Sequence, residues 1–383
     1  MNQSIWKVPL ADIDIGQTEI QAVEAVLQSR WLSMGEVTAR FEADCARYFN
    51  RKFSFAVTNG TAALHLACLS LGLGPGDEVI LPSLTFVATS NAVIYTGATP
   101  IFADITSLND LTISPAAIER KITPHTRAII VMHYGGYLCD MPAILEIARE
   151  HGLAVIEDAA HAPGSTFNDN EQKAGTFGDI GCFSFFANKN LVTGEGGLIV
   201  TQRTDLADKI RRMRSHGMTS LTWDRHQGHA HSYDVVALGY NYRLDEMRAA
   251  IGLVQLEKLD ANNQRRREID VKYRLAFAEH PQLTMPFNHT RCSSACHLFV
   301  VLLYRSENRP AFLEYLRKHG VQTSLHYPPV HRFSYYRQRF GDQEGSFPLT
   351  EQVADRVVTI PLFANMNSEQ IEIVIQAVTG FTG

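Results

Sequence analysis

FSFFANKNLVTGEGG, residues 183–197, decides how the rest of the chain is read. It opens on a short aromatic run, passes through one lysine, Lys189, and closes in a glycine-rich loop. The first part has the texture of a strand end and the last part that of a turn. A lysine at such a junction can be a plain surface residue. This one is flanked by Phe183, Phe185, Phe186 and Ala187, and burial among apolar neighbours lowers the pKa of an amine. An amine that loses its proton near neutrality is a nucleophile able to form a Schiff base.

Upstream, a second apolar run ends in Val155-Ile156-Glu157-Asp158-Ala159-Ala160-His161. A carboxylate at a strand end can hold a pyridinium nitrogen protonated, and with a Schiff-base lysine it makes the minimal kit for pyridoxal phosphate (PLP) chemistry. Asp158 also fits a plain helix N-cap, and His161 fits either a place beside the cofactor ring or a packed histidine. Thr58-Asn59-Gly60-Thr61 lies where a strand pattern gives way to a helical one. Unpaired amides there suit a phosphate, to which Ser184 can add a hydroxyl; the same residues also describe an ordinary capped turn. Phe86 is placed either to stack on a pyridine ring or to sit in the core.

Around these residues, short runs rich in Val, Ile and Phe recur at 53–58, 78–81, 100–105, 127–132, 153–157, 181–186 and 197–201. Most are separated by helical patterns, at 61–71, 85–96, 115–121 and 142–151. This alternation predicts an α/β fold with a mainly parallel seven-stranded sheet between helices. Ligands of such sheets sit beyond the carboxyl ends of the strands, where Thr58, Asp158 and Lys189 fall. Two helices are expected within residues 1–52, a loop or short hairpin over 217–239, and a long helix over 244–279. Strands at 298–303 and 321–324, with helices at 309–319 and 368–379, complete a smaller α+β unit. The expected division is an N-terminal arm and large PLP-binding domain over 1–250, then a linking helix and small domain over 251–383.

The 383 residues are 45% apolar and 20% charged, with a net charge of −5. That balance gives no footprint for nucleic acid or an anionic membrane, and no transmembrane run or signal pattern is evident, so the expectation is cytoplasmic. The run Gly72-Leu73-Gly74-Pro75-Gly76-Asp77 follows a helix and contains a proline, so it reads as a turn rather than a dinucleotide fingerprint. No metal site is expected: Cys292 and Cys296 lack a second pair, and His226, His229 and His231 lie in a polar stretch without nearby carboxylates or thiols at useful spacing.

Several of these segments together resemble the DegT-type sugar-nucleotide aminotransferases. The resemblance rests on Gly60-Thr61-Ala62-Ala63-Leu64-His65-Leu66, Pro82-Ser83-Leu84-Thr85-Phe86, Glu157-Asp158-Ala159-Ala160-His161, Phe183 through Asn190, and Gly239-Tyr240-Asn241-Tyr242-Arg243. It extends through His326-Tyr327-Pro328-Pro329-Val330-His331 to Ile360-Pro361-Leu362-Phe363. It implies a fold-type I PLP-dependent transferase, a homodimer with active sites at the subunit interface. Lys189 is then the Schiff-base lysine, Asp158 the pyridinium partner and Phe86 the stacking ring. Gly60, Thr61 and Ser184 hold the phosphate, Asn241 reaches it from the partner subunit, and Arg243 lies nearby. Asn188 stands where family members often carry threonine. Histidine at 161 points towards members that aminate carbon 4 of a keto sugar. Lys189 argues against the dehydratase branch, which carries histidine there.

The implied reaction is transfer of an amino group, with L-glutamate as donor, to a nucleotide-linked 4-keto-6-deoxy sugar. Arg243, His326 and Tyr327 are candidate substrate residues, with His331 and Arg225 as further cationic or polar wall. The alternatives are amination of a cyclitol or another ketone, and a regulatory protein that binds PLP without turnover.

Overall fold

The computed structural model of the chain describes residues 6–167, 171–220, 223, 227–228, 232–288 and 292–382. Seven strands form the main sheet: β1 (Phe53–Val57), β2 (Glu78–Pro82), β3 (Thr99–Ala103), β4 (Thr126–Met132), β5 (Ala154–Asp158), β7 (Ile180–Ser184) and β8 (Gly197–Thr201). Their order is β1-β8-β7-β5-β4-β2-β3. Strand β8 pairs antiparallel with both β1 and β7, and every other pairing is parallel. All seven strands expected from the sequence are present, within two residues at each end.

Alternation along each strand sends neighbouring side chains to opposite faces. On β4, Ala128 and Ile130 face the helices Gly60–Ser70 and Thr204–Met213, while Ile129 and Val131 face Pro115–Glu119 and Met141–His151. Both faces are covered, which is why these strands read as continuous apolar runs. On the second face a third cluster joins Phe183, Leu198 and Val200 to Phe41 and Phe49 from the N-terminal region and Leu259 from the long helix. Phe41 is fully buried, so Phe41→Ala would cost about 3–5 kcal/mol.

The long helix, Glu246–Phe277, is capped by Asp245, whose side chain accepts from the Arg248 amide. Its first half packs in the cluster with Leu259; its second half gives Ile269, Tyr273 and Phe277 to a separate core. That core lies on a three-stranded sheet of β9 (Leu283–Thr284), β11 (Phe299–Leu303) and β12 (Val357–Ile360). The remaining strands, β6 (Thr166–Phe167) and β10 (Cys292–Ser293), pair with each other.

Some expectations change. The strand expected over 321–324 is replaced by single bridges from Val321 to Val8 and from Ser324 to Thr359. The ladder beside β11 is made instead by β12, just ahead of Pro361. Helices Thr204–Met213, Ser334–Phe340 and Pro348–Arg356 were not read from the sequence. The 217–239 segment closes at its base like a hairpin, through a Met218–Val235 bridge. Arg225, His226, His229 and His231 lie outside the described residues. No helix of the described residues is long and apolar enough to cross a membrane.

Candidate active site

The carboxyl ends of β1, β5 and β7 and the segment after β2 open on one cavity of about 420 Å³. Its wall includes Gly60, Thr61, Phe86, Asp158, His161, Ser184, Lys189, His326 and Tyr327. Nine of the residues singled out as site candidates are therefore brought together.

The turn after β1 is set by packing as well as capping. Asn59 accepts from the Ala62 amide, which leaves the amides of Gly60 and Thr61 at the open helix end. A side chain on Gly60 would put its Cβ 2.8 Å from the Ser184 Cβ. One on Gly197 would meet the Asn59 carbonyl carbon and oxygen at 2.5 Å. These glycines let β7 and β8 pass directly beneath the turn. The glycine-rich end of residues 183–197 thus shapes the turn at residues 59–60, more than a hundred residues earlier.

Asp158 is buried at the end of β5. Its Oδ2 accepts from Thr89 Oγ1 at 2.7 Å and its Oδ1 from the Ala160 amide at 3.2 Å. Burial raises its pKa, against the opposing pull of these donors and of Lys189. The neighbouring Glu157 points to the other face, where it accepts from the amides of Gly175, Phe177 and Gly178 and faces His133 at 2.9 Å. It anchors the loop before β7, and the alternation of the strand gives the pocket to Asp158.

Lys189 keeps some surface towards the cavity, while its amine is enclosed by protein. Burial lowers its pKa to about 8, with Asp158 opposing. The loop that carries it is tied by Phe185–Gly196 and Thr193–Phe185 backbone bonds and by the Lys189 amide to the Phe186 carbonyl. Phe185 packs edge-on against Phe41, so its role in enclosing the lysine passes to others. Three histidines share the lysine's surroundings, with His297 Nε2 3.4 Å from the amine: His161, His297 and His326 all have lowered pKa values through burial, with Lys189 adding to each, and His326 is lowered to about 4. Neutral imidazoles add no charge beside the amine.

His161 Nδ1 accepts from the Gly135 amide at 3.3 Å, so Nε2 carries the proton and donates to the Tyr327 hydroxyl at 2.8 Å. Burial holds the Tyr327 phenol well above its ordinary pKa, leaving its own proton available. Phe86 is 56% exposed, with its ring 6.0 Å from that of Tyr327. A large aromatic ring left open beside a polar wall has the form of a stacking platform for a planar ligand.

Asn241 and Arg243 do not line this cavity within one chain. Their segment is fixed by bonds from Thr58 to the Tyr242 carbonyl and from the amides of Tyr240 and Tyr242 to Met213 and Arg214. Asn241 is exposed, and Arg243 donates to Ser215. His331 is buried away from the cavity, 2.6 Å from Ser83 and 3.3 Å from Glu351. It approaches Glu344 and Glu351 closely enough to form a metal-type cluster, but Arg332 already pairs with Glu344 at 2.6 Å.

Reading the sequence missed Thr89 and His297. Thr85 and Thr89 sit four residues apart, at the spacing of one helix face, and that signal was available. His297 follows Lys189 by 108 residues and carried no local signal.

The sheet order and this pocket define a transferase of PLP fold-type I. The DegT/DnrJ/EryC1/StrS aminotransferase family matches residues 13–379, and the chain belongs to that family. It is an aminotransferase. The spore coat polysaccharide biosynthesis protein SpsC of Bacillus subtilis is 42% identical, over 95% of this chain and 94% of its own. The crystal structure of DesV from S. venezuelae, in complex with a ketimine intermediate, is 34% identical with a TM-score of 0.87, over 94% of this chain and 93% of that one. The PLP form of the putative sugar aminotransferase Spr1654 from Streptococcus pneumoniae is 26% identical with a TM-score of 0.89, over 97% and 98%.

Proposed function

We propose that the protein uses PLP to move an amino group from L-glutamate to the ketone of a nucleotide-linked keto-deoxysugar, with a 4-keto-6-deoxy sugar favoured. One observation carries the cofactor reading: an enclosed amine of lowered pKa shares a cavity with a buried carboxylate, opposite an open helix end. The sugar acceptor is supported by the relatives, one named for polysaccharide biosynthesis and one as a putative sugar aminotransferase.

The residues fit the cofactor. Gly60, Thr61 and Ser184 would hold the phosphate, Phe86 and His161 would flank the ring, and Lys189 would anchor the group covalently. Bound there, PLP supplies an electron-withdrawing ring that stabilises a carbanion at the carbon losing its proton. Asp158, buried at the end of β5, would hold the ring nitrogen in its protonated form. Lys189, whose amine loses its proton far more readily than an ordinary lysine, would take the proton from the substrate carbon and return it to the other side of the transfer. Tyr327 and His326 would meet the substrate from the C-terminal side.

We further propose a homodimer in which Asn241 reaches the partner's phosphate and Arg243 serves substrate binding. The motive is that the fixed 239–243 segment presents Asn241 outward rather than into its own cavity. One pocket serving both glutamate and sugar nucleotide requires ping-pong kinetics. The test is a panel of nucleotide-linked keto sugars with ¹⁵N-labelled glutamate, read by mass spectrometry. Labelled amino sugar and parallel initial-rate lines are expected. No labelled product across the panel, or intersecting lines, refutes the reading.

A further inference from the structure

Beside the amine of Lys189 lies a chain of hydrogen bonds that the roles above do not use. It begins at two backbone carbonyls, which only accept. Asn263 Nδ2 donates to the Pro163 carbonyl at 2.9 Å, so Asn263 Oδ1 must face the other way. Asn190 Nδ2 donates to that oxygen at 2.8 Å and to the Ala295 carbonyl at 2.7 Å. Turning the Asn190 amide over would set its oxygen against two acceptors, so the orientation is fixed. Asn190 Oδ1 therefore accepts from His297 Nδ1 at 3.0 Å. An imidazole protonated at Nδ1 presents a lone pair at Nε2, and Nε2 lies 3.4 Å from Lys189 Nζ. Among the described residues, His297 is the hydrogen-bond acceptor that Nζ reaches.

We propose that His297, locked in its Nδ1–H tautomer by Asn190, is the positioning residue that orients the Lys189 amine in the pocket. The inference rests on the reading of Lys189 as the cofactor lysine for its consequence, though not for its geometry. His297 is itself rigid: its amide donates to the Gly135 carbonyl at 2.9 Å and it leads directly into β11. The loop of contacts closes on adjacent residues, since Asn190 grips the ring whose far nitrogen meets Lys189. A lysine has four side-chain torsions, and an amine that must hand over a proton along one direction gains from a fixed acceptor. The ionisable groups around the pair are Asp158, His161, His326 and Arg266.

Two measurements test this on cofactor-free protein. Nitrogen NMR of ¹⁵N-histidine-labelled protein, with His297 assigned through a His297→Gln variant, should show the Nδ1–H tautomer. An Nε2–H tautomer overturns the proposal. Second, the rate of chemical acylation of Lys189 is followed against pH by peptide mass analysis. An ammonium bonded to an acceptor is stabilised, so in His297→Phe the midpoint should fall by roughly one pH unit. His297→Gln, whose side-chain oxygen can stand where Nε2 stands, should recover most of that shift. A folded His297→Phe protein with an unmoved or raised midpoint, or Gln and Phe variants shifted alike, overturns the proposal. If His297→Phe does not fold, the tautomer measurement on the unaltered chain decides. A wrong cofactor assignment shows itself separately, as a pyridoxyl group found on a different lysine after borohydride reduction.

Discussion

Thr89 Oγ1 donates to Asp158 Oδ2 at 2.7 Å, tying the helix Val87–Tyr95 to the end of β5. Because that proton is committed, the 2.8 Å contact between Thr85 and Thr89 must run from Thr85 to Thr89. Two hydroxyls in series therefore stabilise a carboxylate that burial alone pushes towards its neutral form. Thr89→Val keeps the shape and removes both bonds. Its kcat should fall roughly 10–100-fold, the value of one hydrogen bond to a charged group, and the acid limb of its pH profile should move upward. A variant with wild-type kcat and an unmoved acid limb would show the contact to be incidental.

Asp158→Asn tests the carboxylate itself. An amide cannot hold a ring nitrogen protonated, so PLP should still bind while the glutamate half-reaction slows roughly 10²–10⁴-fold. Stopped-flow absorbance of the bound cofactor measures both. Near wild-type rates would reduce Asp158 to the cap of the turn at Ala160.

The depressed pKa of Lys189 has a cost in stability. Its folded-state value of about 8 lies below the ordinary 10.5, so the cost of burying the ammonium is full below pH 8. The cost shrinks as pH rises from 8, where the folded state sheds its proton, and is gone above 10.5. Cofactor-free Lys189→Met should therefore be more stable than the parent at pH 7 by on the order of 1–3 kcal/mol. That advantage should shrink steadily towards pH 10.5. Urea melts across this range give the answer, and a pH-independent difference would contradict the buried charge.

Gly197→Ala should damage the turn at residues 59–60 from below. Its Cβ would stand 2.5 Å from the Asn59 carbonyl and 2.9 Å from the Gly60 nitrogen, both backbone atoms that cannot swing aside. Overpacking of this kind costs about 1–3 kcal/mol, and here the strain falls on the amides proposed to hold phosphate. PLP affinity should drop at least roughly tenfold. Gly16→Ala, whose Cβ meets nothing nearer than 3.9 Å, is the control. Equal PLP affinity in the two variants would break the link between β8 and the turn.

Mixing inactive Lys189→Ala with inactive Asn241→Ala should restore activity through hybrid dimers carrying one intact site. Subunit exchange is verified by native mass spectrometry. Full exchange without recovery would confine the site to one chain.

The sequence by itself determined the sheet and the family. Continuous Val-, Ile- and Phe-rich runs can be satisfied only with both faces covered, which selects a mainly parallel sheet and puts Thr58, Asp158 and Lys189 at one edge. The local register of β5 was legible too, since alternation gives Asp158 and Glu157 opposite faces. Tertiary structure alone decided what enforces the site. Gly197 is glycine because of Asn59, the Lys189 amine meets His297 while Phe185 packs on Phe41, and Asp158 is held by Thr89. It also turned His331, read as a pocket wall, inward to Ser83. These pairings join residues far apart in the chain, and no periodicity records them. Hydrophobic pattern is written locally because each strand or helix must bury its own face. A hydrogen bond between distant side chains exists only after the fold has brought its two halves together.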